Sequence, residues 1–128
     1  MKTVLVVDDD ALTRKLAAER LERRGLVVLR AADGGEALSI ARERLPDIVL
    51  LDIQMPGMSG FDVLGTLRAD PALASARIVA MTASLMPGDQ GRMEQAHFDA
   101  VLAKPFRRHE LLRVVGEQLG IDLDEVPR

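Results

Sequence analysis

Short apolar runs alternate along this chain with longer stretches whose apolar residues recur every three or four positions, and few folds satisfy that alternation. The runs are Thr3–Val7, Leu26–Arg30, Ile48–Leu51, Ile78–Met81 and Ala100–Ala103. A strand that is apolar on both sides must be covered on both sides, which is how a buried parallel sheet reads in sequence. Between the runs, Ala37, Leu38, Ala41 and Leu45 fall within about 100° of arc at helical spacing, as do Leu111, Leu112, Val115 and Leu119, and this predicts amphipathic helices. Leu12, Leu16, Ala17 and Leu21 span a wider arc, while Val63, Leu64 and Leu67 mark a shorter helix buried along one side. A further, weaker helix is expected to open at Met86-Pro87-Gly88-Asp89 and to end near Ala96.

Local punctuation agrees with this reading. Asp33 with Glu36, and Ser59 with Asp62, have the spacing that satisfies free amide donors at a helix start. Gly25 and Gly120 stand just past helical patterns as C-terminal stops. Alternating β and α units need crossovers of one hand, so the expected class is α/β, a doubly wound open parallel sheet of five strands with helices on both faces. The pattern closes near Leu119; residues 1–120 read as one domain and 121–128 as a short C-terminal tail.

Composition removes several function classes. With 48% hydrophobic and 29% charged residues in 128, the chain suits one soluble core. Its aliphatic stretches are far too short to span a bilayer, and Met1-Lys2 leads into an apolar run and three aspartates instead of a processing site. A cytoplasmic protein without membrane insertion is expected. The absence of cysteine rules out disulfides, thiol nucleophiles and zinc-thiolate sites. A formal charge of −3 and only three aromatic residues, all Phe, argue against nucleic acid as a partner and against a stacked flavin.

Open α/β sheets bind their ligands at the carboxyl ends of the strands, near the point where strand order reverses. Asp8-Asp9-Asp10 follow the first run, Asp52 the third, Thr82 the fourth and Lys104-Pro105 the fifth, whereas Arg30-Ala31-Ala32 after the second offer nothing comparable. Singly, these are an acidic helix cap, a turn residue, a loop hydroxyl and a surface lysine. Gathered on one sheet edge, they point to a site. Clustered carboxylates raise one another's pKa unless a cation offsets them, and an all-oxygen donor set without nearby His or Cys suits Mg²⁺. A metal beside a carboxylate and a lysine suits phosphoryl transfer, in which the carboxylate itself can be the nucleophile and become an acyl phosphate.

The stretches VLVVDDD, DIVLLDIQMPGMSG, IVAMTA and LAKPF, in this order and spacing over roughly residues 2–119, resemble the receiver domain of two-component response regulators, of the bacterial chemotaxis-regulator type. The resemblance implies a flavodoxin-like (βα)5 fold with strand order 2-1-3-4-5. It implies Asp52 as phosphoacceptor, and Asp8 and Asp9 as the acidic pair holding Mg²⁺, Asp9 directly and Asp8 largely through water. Asp52 and the backbone carbonyl of Gln54 would complete the protein ligands. Lys104 would bind a phosphoryl oxygen and Thr82 would follow the phosphoryl group as the switch hydroxyl. The Lys104–Pro105 peptide would be cis, and Asp10 would be left to cap the first helix. The receiver would take its phosphoryl group from a histidine kinase or histidine phosphotransfer protein. As a monomer or weak dimer, it would signal by binding a downstream target protein through the weak helix after Met86, the fifth strand and the last helix.

Two positions depart from the family pattern. Val101 stands where an aromatic residue usually partners the switch hydroxyl, so output is expected to depend more on residues 83–96. His97 stands where Gly commonly ends a helix and is expected to take a positive φ. Gln54 and Ser84 occupy positions that influence phosphoryl loss, and Arg107-Arg108-His109 form a small basic cluster. The alternative reading is a receiver module excised from a hybrid histidine kinase or larger regulator, which the Met-Pro-Gly-Asp stretch resembles. An aspartate-nucleophile phosphatase is a distant one, because such enzymes place a second Asp where Gln54 stands and order their motifs differently. A flavodoxin-like electron carrier would need a hydroxyl- and glycine-rich loop after the first strand, and GxGxxG and GxxxxGK[ST] loops are absent.

Overall fold

The structure, a computed structural model, describes residues 1–83 and 96–123. In chain order these form β1 (Thr3–Val7), α1 (Ala11–Glu22), β2 (Val27–Ala31), α2 (Gly34–Arg44), β3 (Ile48–Asp52), α3 (Gly60–Ala69), β4 (Arg77–Thr82), β5 (Ala100–Ala103) and α4 (Arg108–Leu119). The helix expected from Met86 lies almost wholly outside the described residues, as does Ser84. All neighbouring strands pair in parallel, in the order β2-β1-β3-β4-β5, so the order reverses at β1 and β3.

Period-two alternation sends the two sides of each strand into separate cores. Val4, Val6, Ile48, Leu50, Val79 and Met81 pack against α1 and α4 through Ala17, Leu21, Leu111, Leu112 and Val115. Leu5, Val7, Val49, Leu51 and Ile78 pack against α2 and α3 through Ala37, Leu38, Ala41, Val63, Leu64 and Leu67. The expected doubly wound architecture is therefore present, with two helices on each face among the described residues.

Three local expectations shift. Leu26 is buried, yet its N–H bonds back to Leu21 after the positive-φ Gly25, so β2 begins one residue later than its apolar run. Leu45 leaves the buried face of α2. It is the left-handed C-cap at φ 47° and lies 52% exposed, because Pro46 cannot continue the helix. In α1 the buried side chains are Ala17, Ala18 and Leu21, whereas Leu12 and Leu16 are exposed.

The edge of the sheet remote from the strand ends is fastened by two acids. Asp47 accepts the Thr3 N–H at 2.8 Å. Asp99 Oδ2 accepts both the Ile78 N–H and an Arg68 N–H at 2.7 Å, while Arg68 also donates to the carbonyls of Ala74 and Ala76. Burial alone would raise the Asp99 pKa, but the Ile78 amide and the Arg68 and Arg77 guanidinium groups hold it below the usual carboxylate range. Beyond α4, the Ile121 N–H bonds to the Gly116 carbonyl and Leu123 is buried in the α1–α4 core. A Cβ at Gly116 would lie 2.6 Å from the Ile121 carbonyl oxygen, so glycine permits this close return of the chain.

Candidate functional site

The site grows from the place where β1 and β3 stop. The Asp8 N–H closes a last rung to the Ala31 carbonyl, and its side chain is fully buried. Asp8 Oδ1 accepts the Asp10 N–H at 2.9 Å. Asp10 turns outward and caps α1, accepting the N–H groups of Leu12 and Thr13, and the Thr13 and Leu12 amides lower its pKa. Between them, Asp9 is exposed at the rim.

Asp52, the last residue of β3, is 3% exposed, and its Oδ1 accepts the Gln54 N–H at 3.0 Å. The loop that follows turns through Gly57 at φ 77° and returns to α3 at Gly60. A Cβ at Gly60 would stand 2.5 Å from Ile53 Cα and 2.6 Å from the Asp52 carbonyl oxygen. Backbone therefore lies directly on backbone behind the Asp52 carboxylate. Ser59 and Asp62 form the expected reciprocal cap of α3.

From the other side come β4 and β5. Thr82 ends β4 in a buried position, and its carbonyl accepts the Lys104 N–H at 2.7 Å. The Lys104–Pro105 peptide is cis. Lys104 Nζ lies 2.7 Å from Asp8 Oδ2 and 3.5 Å from Asp52 Oδ2. The strand ends thus bring Asp8, Asp9, Asp52 and Lys104 together, with Thr82 on the adjacent strand end and Gln54 at the rim. Val101 is 49% exposed on β5, and His97 has φ 59°.

Burial pushes the Asp52 pKa up to about 7, and the Asp8 charge adds to the rise against the Gln54 N–H and Lys104. Burial would lower Lys104, but its contacts with Asp8 and Asp52 raise it overall. One carboxylate oxygen from each of Asp8, Asp9 and Asp52 lies within 4.8 Å of the others. Asp8 Oδ2 is buried and makes no well-formed hydrogen bond; its contact is the Lys104 ammonium. A compact, all-oxygen cluster with an under-satisfied buried anion fits a hard divalent cation.

Two features have no clear sequence signal. Arg14 Nη1 donates to the Asp8 backbone carbonyl at 2.6 Å, although in sequence it is one of several basic residues on α1. Beside the site, Thr13, Leu16 and Arg20 of α1 face Lys104, Pro105 and Phe106 across a groove of about 390 Å³. Leu16, Arg20, Arg23 and Arg108, with Glu19 among them, continue this surface.

Comparison with known proteins bears on the chain as a whole. A family model described as the response regulator receiver domain matches residues 4–116. The polar-differentiation response regulator DivK of Brucella anthropi is 36% identical over 119 residues, covering 93% of this chain and 97% of that protein. The chemotaxis response regulator CheY4 of Vibrio cholerae is 30% identical with a TM-score of 0.86, covering 92% of this chain and 98% of that one. The receiver domain of the sensor histidine kinase PA1611 of Pseudomonas aeruginosa is also 30% identical, with a TM-score of 0.85 over 93% of this chain and 98% of that one. It holds a magnesium ion in its active-site cleft. No described helix here is long and apolar enough to cross a membrane. With the matching strand order and the acidic strand ends, the family match establishes that the chain belongs to the response regulator receiver domains, the phosphoacceptor modules of two-component signalling.

Proposed function

We propose that Asp52 is the phosphoacceptor and that Asp8, Asp9, Asp52 and the Gln54 carbonyl hold Mg²⁺ during transfer. The observation that carries this reading is the buried Asp52 carboxylate, fixed through Oδ1 by the Gln54 amide and facing Lys104 through Oδ2 beside two further acids. A bound divalent ion would neutralise the cluster, favour the nucleophilic carboxylate form of Asp52 and offset charge on the phosphoryl oxygens. An Asp52 oxygen attacks phosphorus of a phosphohistidine, the O–P bond forms as the P–N bond breaks, and the freed imidazole takes a proton from solvent. Lys104, already between Asp8 and Asp52, meets a phosphoryl oxygen, and Thr82 offers its hydroxyl from the neighbouring strand end.

The donor is a histidine kinase or histidine phosphotransfer protein. Exposed Leu12 and Leu16 on α1, together with the groove leading to Lys104 and the arginines below it, suit an amphipathic donor surface with acidic flanks. Residues 1–120 act as the receiver and 121–128 as its tail, in the cytoplasm, as a monomer or weak dimer. Output is a phosphorylation-dependent protein contact, and the chain catalyses only its own phosphorylation and slow dephosphorylation.

The test is to incubate the protein and Asp52→Asn with Mg²⁺ and acetyl phosphate and then weigh the intact chains. A base-labile gain of about 80 Da, one phosphoryl group, is expected on the unsubstituted protein alone. An equal gain on Asp52→Asn would place the acceptor elsewhere, and multiple turnover of a phosphomonoester would favour a phosphatase.

A further inference from the structure

Asp8 is held at three points. Its N–H bonds to the Ala31 carbonyl, its Oδ1 takes the Asp10 N–H, and its carbonyl oxygen takes Arg14 Nη1 at 2.6 Å. Only Oδ2 is left to face the cluster. The Asp8 carbonyl and the Asp9 N–H belong to one planar peptide unit. A guanidinium that fixes that carbonyl therefore also fixes the plane from which the exposed Asp9 side chain departs. Arg14 is half-buried on α1, a helix that begins at the Asp10 cap and is anchored in the core by Ala17, Ala18 and Leu21. The clamp thus refers both acids to a rigid element.

We propose that Arg14 is a positioning residue of the cation site, clamping the Asp8–Asp9 peptide so that both carboxylates converge with Asp52. The inference rests on the reading of these acids as a divalent-cation site. Groups that hydrogen-bond to ligand residues commonly set affinity through orientation alone. A charge effect would act the other way, because a nearby guanidinium repels the ion. The two roles of Arg14 therefore have opposite signs.

Mg²⁺ titration calorimetry on the full chain, its Arg14→Met and Arg14→Lys variants separates them, with melting curves confirming that each is folded. Met keeps length and helix propensity while removing donor and charge; Lys restores a cationic donor. The expected result is a Kd for Mg²⁺ weakened about tenfold in Arg14→Met and close to the original in Arg14→Lys. In metal-free protein, the Asp9 and Asp10 amide resonances of Arg14→Met should also move. An Arg14→Met variant that binds Mg²⁺ equally well or more tightly overturns the clamp while leaving the cation site intact. Absence of Mg²⁺ uptake by the unsubstituted protein overturns the cation site itself, and the clamp with it.

Discussion

Replacing Asp52 with Asn should stabilise the metal-free protein, even though it removes the acceptor. The Asp52 carboxyl is displaced from 3.8 to about 7 by burial and by the Asp8 charge. A shift of that size corresponds to on the order of 4 kcal/mol against the ionised form. Relaxation and water entry at the open rim reduce this, so a gain of about 2–4 kcal/mol above pH 7 is expected, or several degrees in Tm. Asn can keep the Gln54 N–H bond through its carbonyl oxygen, and Lys104 keeps its closer partner, Asp8, at 2.7 Å. The pH dependence fixes the sign. Because the folded pKa lies above the unfolded value, the native state retains a proton that the unfolded chain has lost. The Asp52 contribution to stability therefore falls as pH rises from about 4 to about 7 and then levels. The advantage of Asp52→Asn should be near zero at the acid end, full above pH 7, and smaller in excess Mg²⁺, which stabilises the state that binds it. Urea melts of both proteins with chelator or Mg²⁺, across pH 4 to 8, measure this directly. A pH-independent difference, or a less stable Asp52→Asn at pH 8 without metal, would refute the electrostatic reasoning.

Lys104→Ala should slow phosphoryl transfer from acetyl phosphate by about a hundredfold, as loss of one charge-stabilising donor does. Because Lys104 competes for Asp8 and Asp52, the same variant should bind Mg²⁺ at least as tightly as before; calorimetry beside quenched mass spectrometry checks both. Gly60→Ala would press a Cβ onto Ile53 Cα and the Asp52 carbonyl, with no flexible side chain to yield. Denaturant melts should register a loss of about 1–3 kcal/mol, and phosphorylation should weaken because the acceptor loop must move. Asp99→Asn should lower stability at neutral pH by about 1–3 kcal/mol by weakening the Ile78 and Arg68 contacts. Since Asp99 has a depressed pKa, that contribution is present above about pH 4 and disappears as pH falls through the folded value, so the melting curves should converge in acid.

The strands and chemical residues were legible because Asp8, Asp52, Thr82 and Lys104 each directly follow an apolar run, and a parallel sheet carries all such ends to one edge. Strand order came from the family resemblance, since alternation alone does not choose among doubly wound orders. Periodicity identified apolar faces but not what covers them: Leu12 and Leu16 share the apolar pattern of α1 yet are exposed, Leu16 beside an open groove, while Ala18 outside that pattern is buried. Leu45 fell out of phase because Pro46 ended α2 before it. Arg14 and the Arg68–Asp99 fastening were illegible for a different reason. Each depends on side chains meeting backbone groups brought close only by the fold, and an arginine on a helix otherwise reads as a solvated charge.

The central claim is that Asp8, Asp9 and Asp52 converge on one cation beside one phosphoryl group. A crystal structure grown with Mg²⁺ and trifluoroberyllate, a phosphoryl mimic, tests it most directly. A single ion is expected about 2.1 Å from oxygens of Asp9, Asp52 and the Gln54 carbonyl. The mimic should sit on Asp52 within reach of the Lys104 ammonium and the Thr82 hydroxyl. An ion bound away from these acids, or a mimic carried by another carboxylate, would contradict it.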